Sequence, residues 1–159
     1  MASNIIRFFV LLLMSLLVGT MFGIWLGFNP SGLSAATYIE LQQHTIRALN
    51  TALPALGGIC IVLTTALAVL TKNDGRSRYL LIGAVVCLVA AGLITRLANQ
   101  PINIQLLTWS PHAPAANWAE LRDTWWQWHI ARIVAGICAL ILTLLAALRS
   151  RYQAADSAA

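Results

Sequence analysis

The 159-residue chain is 59% hydrophobic and only 9% charged, against about 25% charged in a typical soluble domain. This composition excludes a water-soluble globular protein and leaves no room for a soluble domain beside the apolar runs. The net charge of +5 would suit a nucleic-acid binder, but its positions exclude that partner. Arg7, Lys72, Arg76, Arg78, Arg149 and Arg151 fall at the N-terminus, the second connection and the C-terminus. With four crossings these places share one side, and basic residues mark that side as cytoplasmic. Both termini are therefore expected inside, in what reads as a bacterial inner membrane.

Four apolar runs, 5–28, 52–71, 79–98 and 129–148, each approach the roughly 20 residues a helix needs to cross a bilayer. The expected fold is all-α, a single transmembrane four-helix bundle over residues 1–159 with helices near 5–28, 35–71, 79–99 and 118–150. The second and fourth helices extend beyond the membrane on the outer side, and a capping loop joins the third to the fourth. The first run is too long for the roughly 7–15-residue core of a secretory signal and is read as an anchor. Its Ser15, Gly19, Gly23 and Gly27 recur every four residues, a ladder expected to form a packing seam within the bundle or between protomers of a homo-oligomer. The second helix is expected to start near Ser34 to Ala36 and run past Pro54, and the third to stop at Pro101. Asn117 followed by Glu120 resembles a capping box opening the fourth helix. Cys60, Cys87 and Cys138 lie deep in three different runs without CxxC spacing, so they are expected to be buried structural thiols.

The fourth helix carries the chemistry. At about 100° per residue, Trp118, Arg122, Trp125, His129, Arg132 and Gly136 share one stripe. Tryptophan belts and snorkelling arginines at the interface explain Trp109, Trp126 and Trp128. They explain Arg132 poorly, because counting from Arg149 puts it about 25 Å into the slab, where an ionisable group marks a functional site. Arg96 reaches a similar level, with Asn99 and Asn103 beyond it. The second helix adds a stripe of Glu40, His44, Arg47, Thr51, Pro54 and Gly58, flanked by Gln43 and Asn50. Glu40, His44 and His129 form a two-histidine, one-carboxylate set that iron or copper could use. Their heights differ, however: about 28 Å for His129 and about 40 Å for His44. The metal set is therefore ranked below a site without metal.

The spacing W-x-x-x-R-x-x-W-x-x-x-H-x-x-R, from Trp118 to Arg132, resembles the last-helix signature of the anthrone oxygenase-like family, and "PIN" at Pro101 to Asn103 resembles that family's proline-x-asparagine element. The resemblance implies a small four-helix membrane protein. Fungal members oxidise anthrones to anthraquinones with O₂ and without a conventional redox cofactor. That activity needs a base and cationic donors for an oxyanion, and the stripe offers His129 as the base, with Arg132, Arg122 and Trp125 completing the catalytic group. Arg96, Asn99, Asn103 and Trp118 would bind the substrate, as would His44, Gln43 and Arg47 of the second helix, whose stripe is not part of the family signature. The expected ligand is a flat, partly anionic aromatic or quinone-like molecule in an outer-leaflet pocket, with O₂ and membrane lipid as the other expected partners. The competing readings are a non-catalytic lipid- or quinone-binding or accessory protein, and a metal-dependent oxidoreductase using Glu40, His44 and His129.

Overall fold

The computed structural model describes residues 2–72 and 74–156 and contains helices but no strand among them. Its helices are α1 (Ala2–Gly27), α2 (Ala35–Leu49), α3 (Ala52–Leu70), α4 (Gly75–Ile94), α5 (Gln100–Leu106) and α6 (Trp118–Asp156). Four stretches are long and apolar enough to cross a membrane: Ser3–Gly32, Ala52–Leu70, Gly75–Leu106 and Trp118–Arg149. α1 packs against α3 and α6, and α4 packs against the same two helices, which closes a four-membered ring. Val10, Met14, Leu17 and Met21 of α1 meet Cys60 and Leu67 of α3, Leu81 and Leu88 of α4, and Ile133 of α6 in the centre. The outward faces are equally apolar, with Phe8, Leu16, Val62, Val86, Val134 and Leu148 exposed. Helices hydrophobic on every side belong in lipid, and the chain is an integral membrane protein.

Because the outer faces are also apolar, composition alone did not reveal which side of each helix packs. The small-residue ladder of α1 corrects the expected seam within the bundle. Ser15, Gly19, Gly23 and Gly27 are all exposed, and a Cβ at any of the three glycines would meet nothing within 4 Å. The glycine that does permit close approach is Gly136 of α6, where a Cβ would stand 2.8 Å from Met21 Cε. The cysteines divide in the same way. Cys60 is buried, Cys87 half-buried and Cys138 exposed, all three as free thiols, so only Cys60 fits the expected buried thiol.

The second and third spans depart from expectation through proline. Residues 35–71 do not form one helix: α2 ends at Leu49 and α3 begins at Ala52. Pro54 has no N–H to offer the Asn50 carbonyl, and its ring crowds that carbonyl, so the break falls one turn upstream. α2 then lies across one end of the bundle. Its Tyr38, Ile39 and Ile46 form a second core with Leu106, against Phe28, Leu33, Trp109 and Trp118. Pro101, by contrast, does not stop its helix. A π turn over Thr95–Asn99, in which the Gln100 N–H reaches back five residues to the Thr95 carbonyl, absorbs the proline, and α5 continues to Leu106. Proline removes an i→i−4 bond to Leu97, and widening that turn relieves the clash without ending the helix.

At the opposite end Asp74 caps α4. Its carboxylate accepts hydrogen bonds from the Ser77 hydroxyl and from the Ser77 N–H, the latter at 3.2 Å. These bonds, led by the hydroxyl, hold the carboxyl below its ordinary range. Asp74→Ala is expected to cost about 0.5–2 kcal/mol, the usual worth of an N-cap. A depressed carboxylate stabilises above its unfolded pKa of about 3.9 and loses that contribution as pH falls through its lower folded value. Thermal unfolding of the detergent-solubilised protein should therefore separate Asp74→Ala from wild type at pH 7 and bring the two together in strong acid.

Candidate ligand cavity

The stripe on α6 turns inward. Trp125, His129, Arg132 and Gly136 are buried and Trp118 and Arg122 half-buried, while Trp128, Ile130 and Val134 face out. The His129 ring is fully buried and stacks on Trp125, with centroids 5.0 Å apart and planes within 10°, and on Trp126 at 5.5 Å. Its Nδ1 accepts hydrogen bonds from both Nε and Nη2 of Arg132, at 3.0 and 2.8 Å. That geometry requires a lone pair on Nδ1, so the proton of the neutral ring sits on Nε2. Among the described residues Nε2 has no hydrogen-bond partner.

A cavity of about 310 Å³ opens beside Arg132, at the end of the bundle that α2 covers. Its polar wall consists of Arg132, Trp125, Asn103, Gln100, Asn50 and Gln42, with Arg96 at the edge; Thr45 and Thr95 add hydroxyls and the rest is apolar. The wall is held by a chain of amides. Trp125 Nε1 donates to Asn103 Oδ1 at 2.8 Å, and Asn103 Nδ2 donates to Asn50 Oδ1 at 3.1 Å. Asn50 and Gln100 exchange bonds at 3.2 and 2.9 Å. The π turn contributes Asn99, whose Nδ2 donates to the Trp125 carbonyl at 3.0 Å and ties α6 to the widened turn. The Arg132 guanidinium lies 5.7 Å over the Trp125 ring. Among the described residues the one ion pair is Arg122–Asp123, so the buried Arg132 has no carboxylate there.

The residues expected to form the site separate accordingly. Arg132, Trp125, Arg96 and Asn103 line the cavity. His129 does not; it stands behind Arg132, its Nδ1 occupied, and this geometry gives no free lone pair to a ligand. Asn99 acts through Trp125. Arg122 pairs with the adjacent Asp123 at 2.8 Å and covers the Trp118 ring at 5.0 Å, away from the cavity. Trp118 packs on Tyr38, whose phenol is pushed well above its ordinary range by burial and stays protonated. Glu40, His44 and Arg47 occupy the exposed face of α2. Glu40 and His44 therefore do not converge on the enclosed His129, and no group of three metal-ligating side chains occurs among the described residues.

Gln43 is buried, but as a fastener: its Nε2 donates to the Leu106 and Trp109 carbonyls at 3.0 and 2.9 Å, pinning α2 to the end of the third span. Removing it leaves two carbonyls of the covered end without this donor, at about 1–3 kcal/mol. Gln43→Ala is expected to raise hydrogen exchange across residues 35–49 while the four spans stay protected; unchanged exchange in α2 would show that the apolar contacts alone hold it.

Gln42 and Gln100 were missed in the sequence, and Asn50 was noted only as flanking the α2 stripe. For Gln42 a signal was present. It falls between Ile39 and Ile46 on the apolar stripe of α2, where a polar residue is out of pattern.

No curated protein and no solved structure matches the chain. Residues 43–142 match the family model described as Anthrone oxygenase, a stretch that covers well over half of the sequence. It begins on α2, ends in α6 and includes Asn50, Arg96, Gln100, Asn103, Trp125 and Arg132, nearly the whole polar wall of the cavity. With four membrane-spanning helices and that match across three of them, the chain belongs to the anthrone oxygenase family.

Proposed function

We propose that this membrane protein binds a flat, partly anionic aromatic or quinone-like molecule in the cavity under α2 and oxidises it with O₂. The observation that carries the reading is Arg132: a cation 8% exposed, without a carboxylate among the described residues, set beside an indole on a cavity wall. A buried charge of this kind is expensive unless an anion or strong dipole answers it. His129 occupies Nε and one Nη2 proton, which leaves the Nη1 edge for a ligand. Trp125 supplies a flat wall.

An anthrone fits this chemistry. Its CH₂ lies opposite an aromatic ketone, and loss of one proton gives an enolate whose oxygen carries the negative charge. A fixed guanidinium at that oxygen stabilises the charge in a water-poor site. The electron-rich carbon then reduces O₂, and the CH₂ leaves as C=O with one water formed: anthrone plus O₂ gives anthraquinone plus H₂O. Among the described residues no imidazole or carboxylate lines the cavity, so the proton passes to interfacial water at the rim near Arg96 and the protein's part is to favour the anion. His129 is a positioning residue that fixes Arg132. O₂ is the oxidant, and the proposal calls on no bound redox group. The cavity lies at the end opposite the basic residues, so it faces the extracytoplasmic side if those residues mark the cytoplasm.

The same lack of a base at the wall favours one alternative, a non-catalytic binding or accessory protein using the same cavity. Oxygen uptake by purified protein with anthrone decides between them. Catalysed uptake with stoichiometric anthraquinone supports the oxidation; saturable binding of anthrone with uptake no faster than buffer selects the binding protein.

A further inference from the structure

Among the described residues that line the cavity, four are exposed: Pro54 and Gly58 on α3, Gly92 on α4 and Arg96 just beyond it. Those contributed by α1, α2 and α6 are buried or half-buried. The opening therefore lies between α3 and α4. Both are membrane spans, and Gly58 stands about 9 Å along α3 from its first residue, so the opening meets hydrocarbon. Glycine on both sides keeps it clear: a Cβ at Gly58 or at Gly92 would meet nothing within 4 Å.

At the covered end of the cavity, Gln42 is 0% exposed, and among the described residues neither its Nε2 nor its Oε1 has a hydrogen-bond partner. Leaving a buried amide unpaired at both atoms is costly, and native proteins rarely do so without a partner to come. A primary amide offers a donor and an acceptor side by side, and its natural complement is a head group that carries both.

We infer that the cavity takes its ligand sideways from the bilayer, through the window at Gly58 and Gly92, and that Gln42 holds the head group. The ligand class is a lipid-dissolved amphiphile with a hydroxyl-bearing aromatic head and an apolar body or tail that leaves between α3 and α4. Arg96, on the rim, presents a cation to a head group passing from the interface. The inference rests on the same cavity as the oxidation reading but not on turnover.

The test is anaerobic binding of 2-decylhydroquinone to the protein in phosphatidylcholine vesicles, with tailless hydroquinone as the water-borne competitor. A Cβ at Gly58 or Gly92 stands in open space, so in Gly58→Phe and Gly92→Phe melting temperatures should stay at the wild-type value while probe association slows at least about 10-fold. Gln42→Leu should keep the association rate and weaken affinity about 10-fold, and tailless hydroquinone should compete poorly. Association at the wild-type rate in both plugged variants overturns the window. Unchanged affinity in Gln42→Leu overturns the head-group assignment. Equal competition by the tailless probe, or no saturable binding to wild type, overturns the ligand class. Because O₂ is absent, a failure of the oxidation reading leaves these results untouched.

Discussion

Arg132→Met is expected to lower the rate of anthrone oxidation by about 10²- to 10³-fold, the loss seen when one preorganised donor to a developing oxyanion is removed. The fold should survive. Methionine approximates the side-chain length without a charge, and replacing a buried ion by an apolar group is often neutral or stabilising. The cost left behind is His129 Nδ1, which loses both donors; a neutral ring can shift its proton between nitrogens, so the melting temperature should move little. Arg132→Lys separates charge from shape. An ammonium keeps the cation but lacks the planar edge that donates twice to His129, and it should fall between the wild type and methionine. Oxygen-uptake rates for the three proteins, with unfolding measured in parallel, check this. A methionine variant as fast as wild type would mean that the anion is held elsewhere.

Trp125→Ala should cause the largest loss of stability of any single substitution at the site, about 3–5 kcal/mol. The indole is 3% exposed and serves several contacts at once. It stacks on His129, meets Phe28 edge-on at 6.4 Å, supports the Arg132 guanidinium, and donates to Asn103. In lipid the hydrophobic effect contributes little between helices, so most of the loss is packing, which a void forfeits outright. Trp125→Phe keeps a ring and removes the N–H, which leaves Asn103 Oδ1 short of its donor, and should cost about 1–3 kcal/mol. Unfolding in mixed detergent should rank wild type, phenylalanine and alanine in that order. If phenylalanine matched alanine, the hydrogen bond to Asn103 would be the dominant contribution.

The four spans and the inward stripe of α6 were legible in the sequence because the signals behind them are local. Span length is set by hydrocarbon thickness, and a polar stripe repeating every third or fourth residue marks one helix face. Arg132 stood out for the same reason, as a charge too deep to reach the interface. The rest depended on neighbours. In a helix apolar all round, no moment selects the packed face. The α1 ladder could therefore face outward while Val10, Met14 and Leu17 packed, and Gly136 became the point of close approach. The two prolines reversed the expectation: Pro54, expected to be passed, broke its helix at Asn50, whereas Pro101, expected to stop its helix, was absorbed by a π turn. The break swung α2 across the bundle, which turned Gln42 inward and left Glu40, His44 and Arg47 exposed. His129 and Arg132 share a stripe, and the sequence could not rank them; the cavity reaches Arg132 and stops short of His129. Periodicity assigns a residue to a face, but the space in front of that face is made by other helices, and only the tertiary structure supplies them.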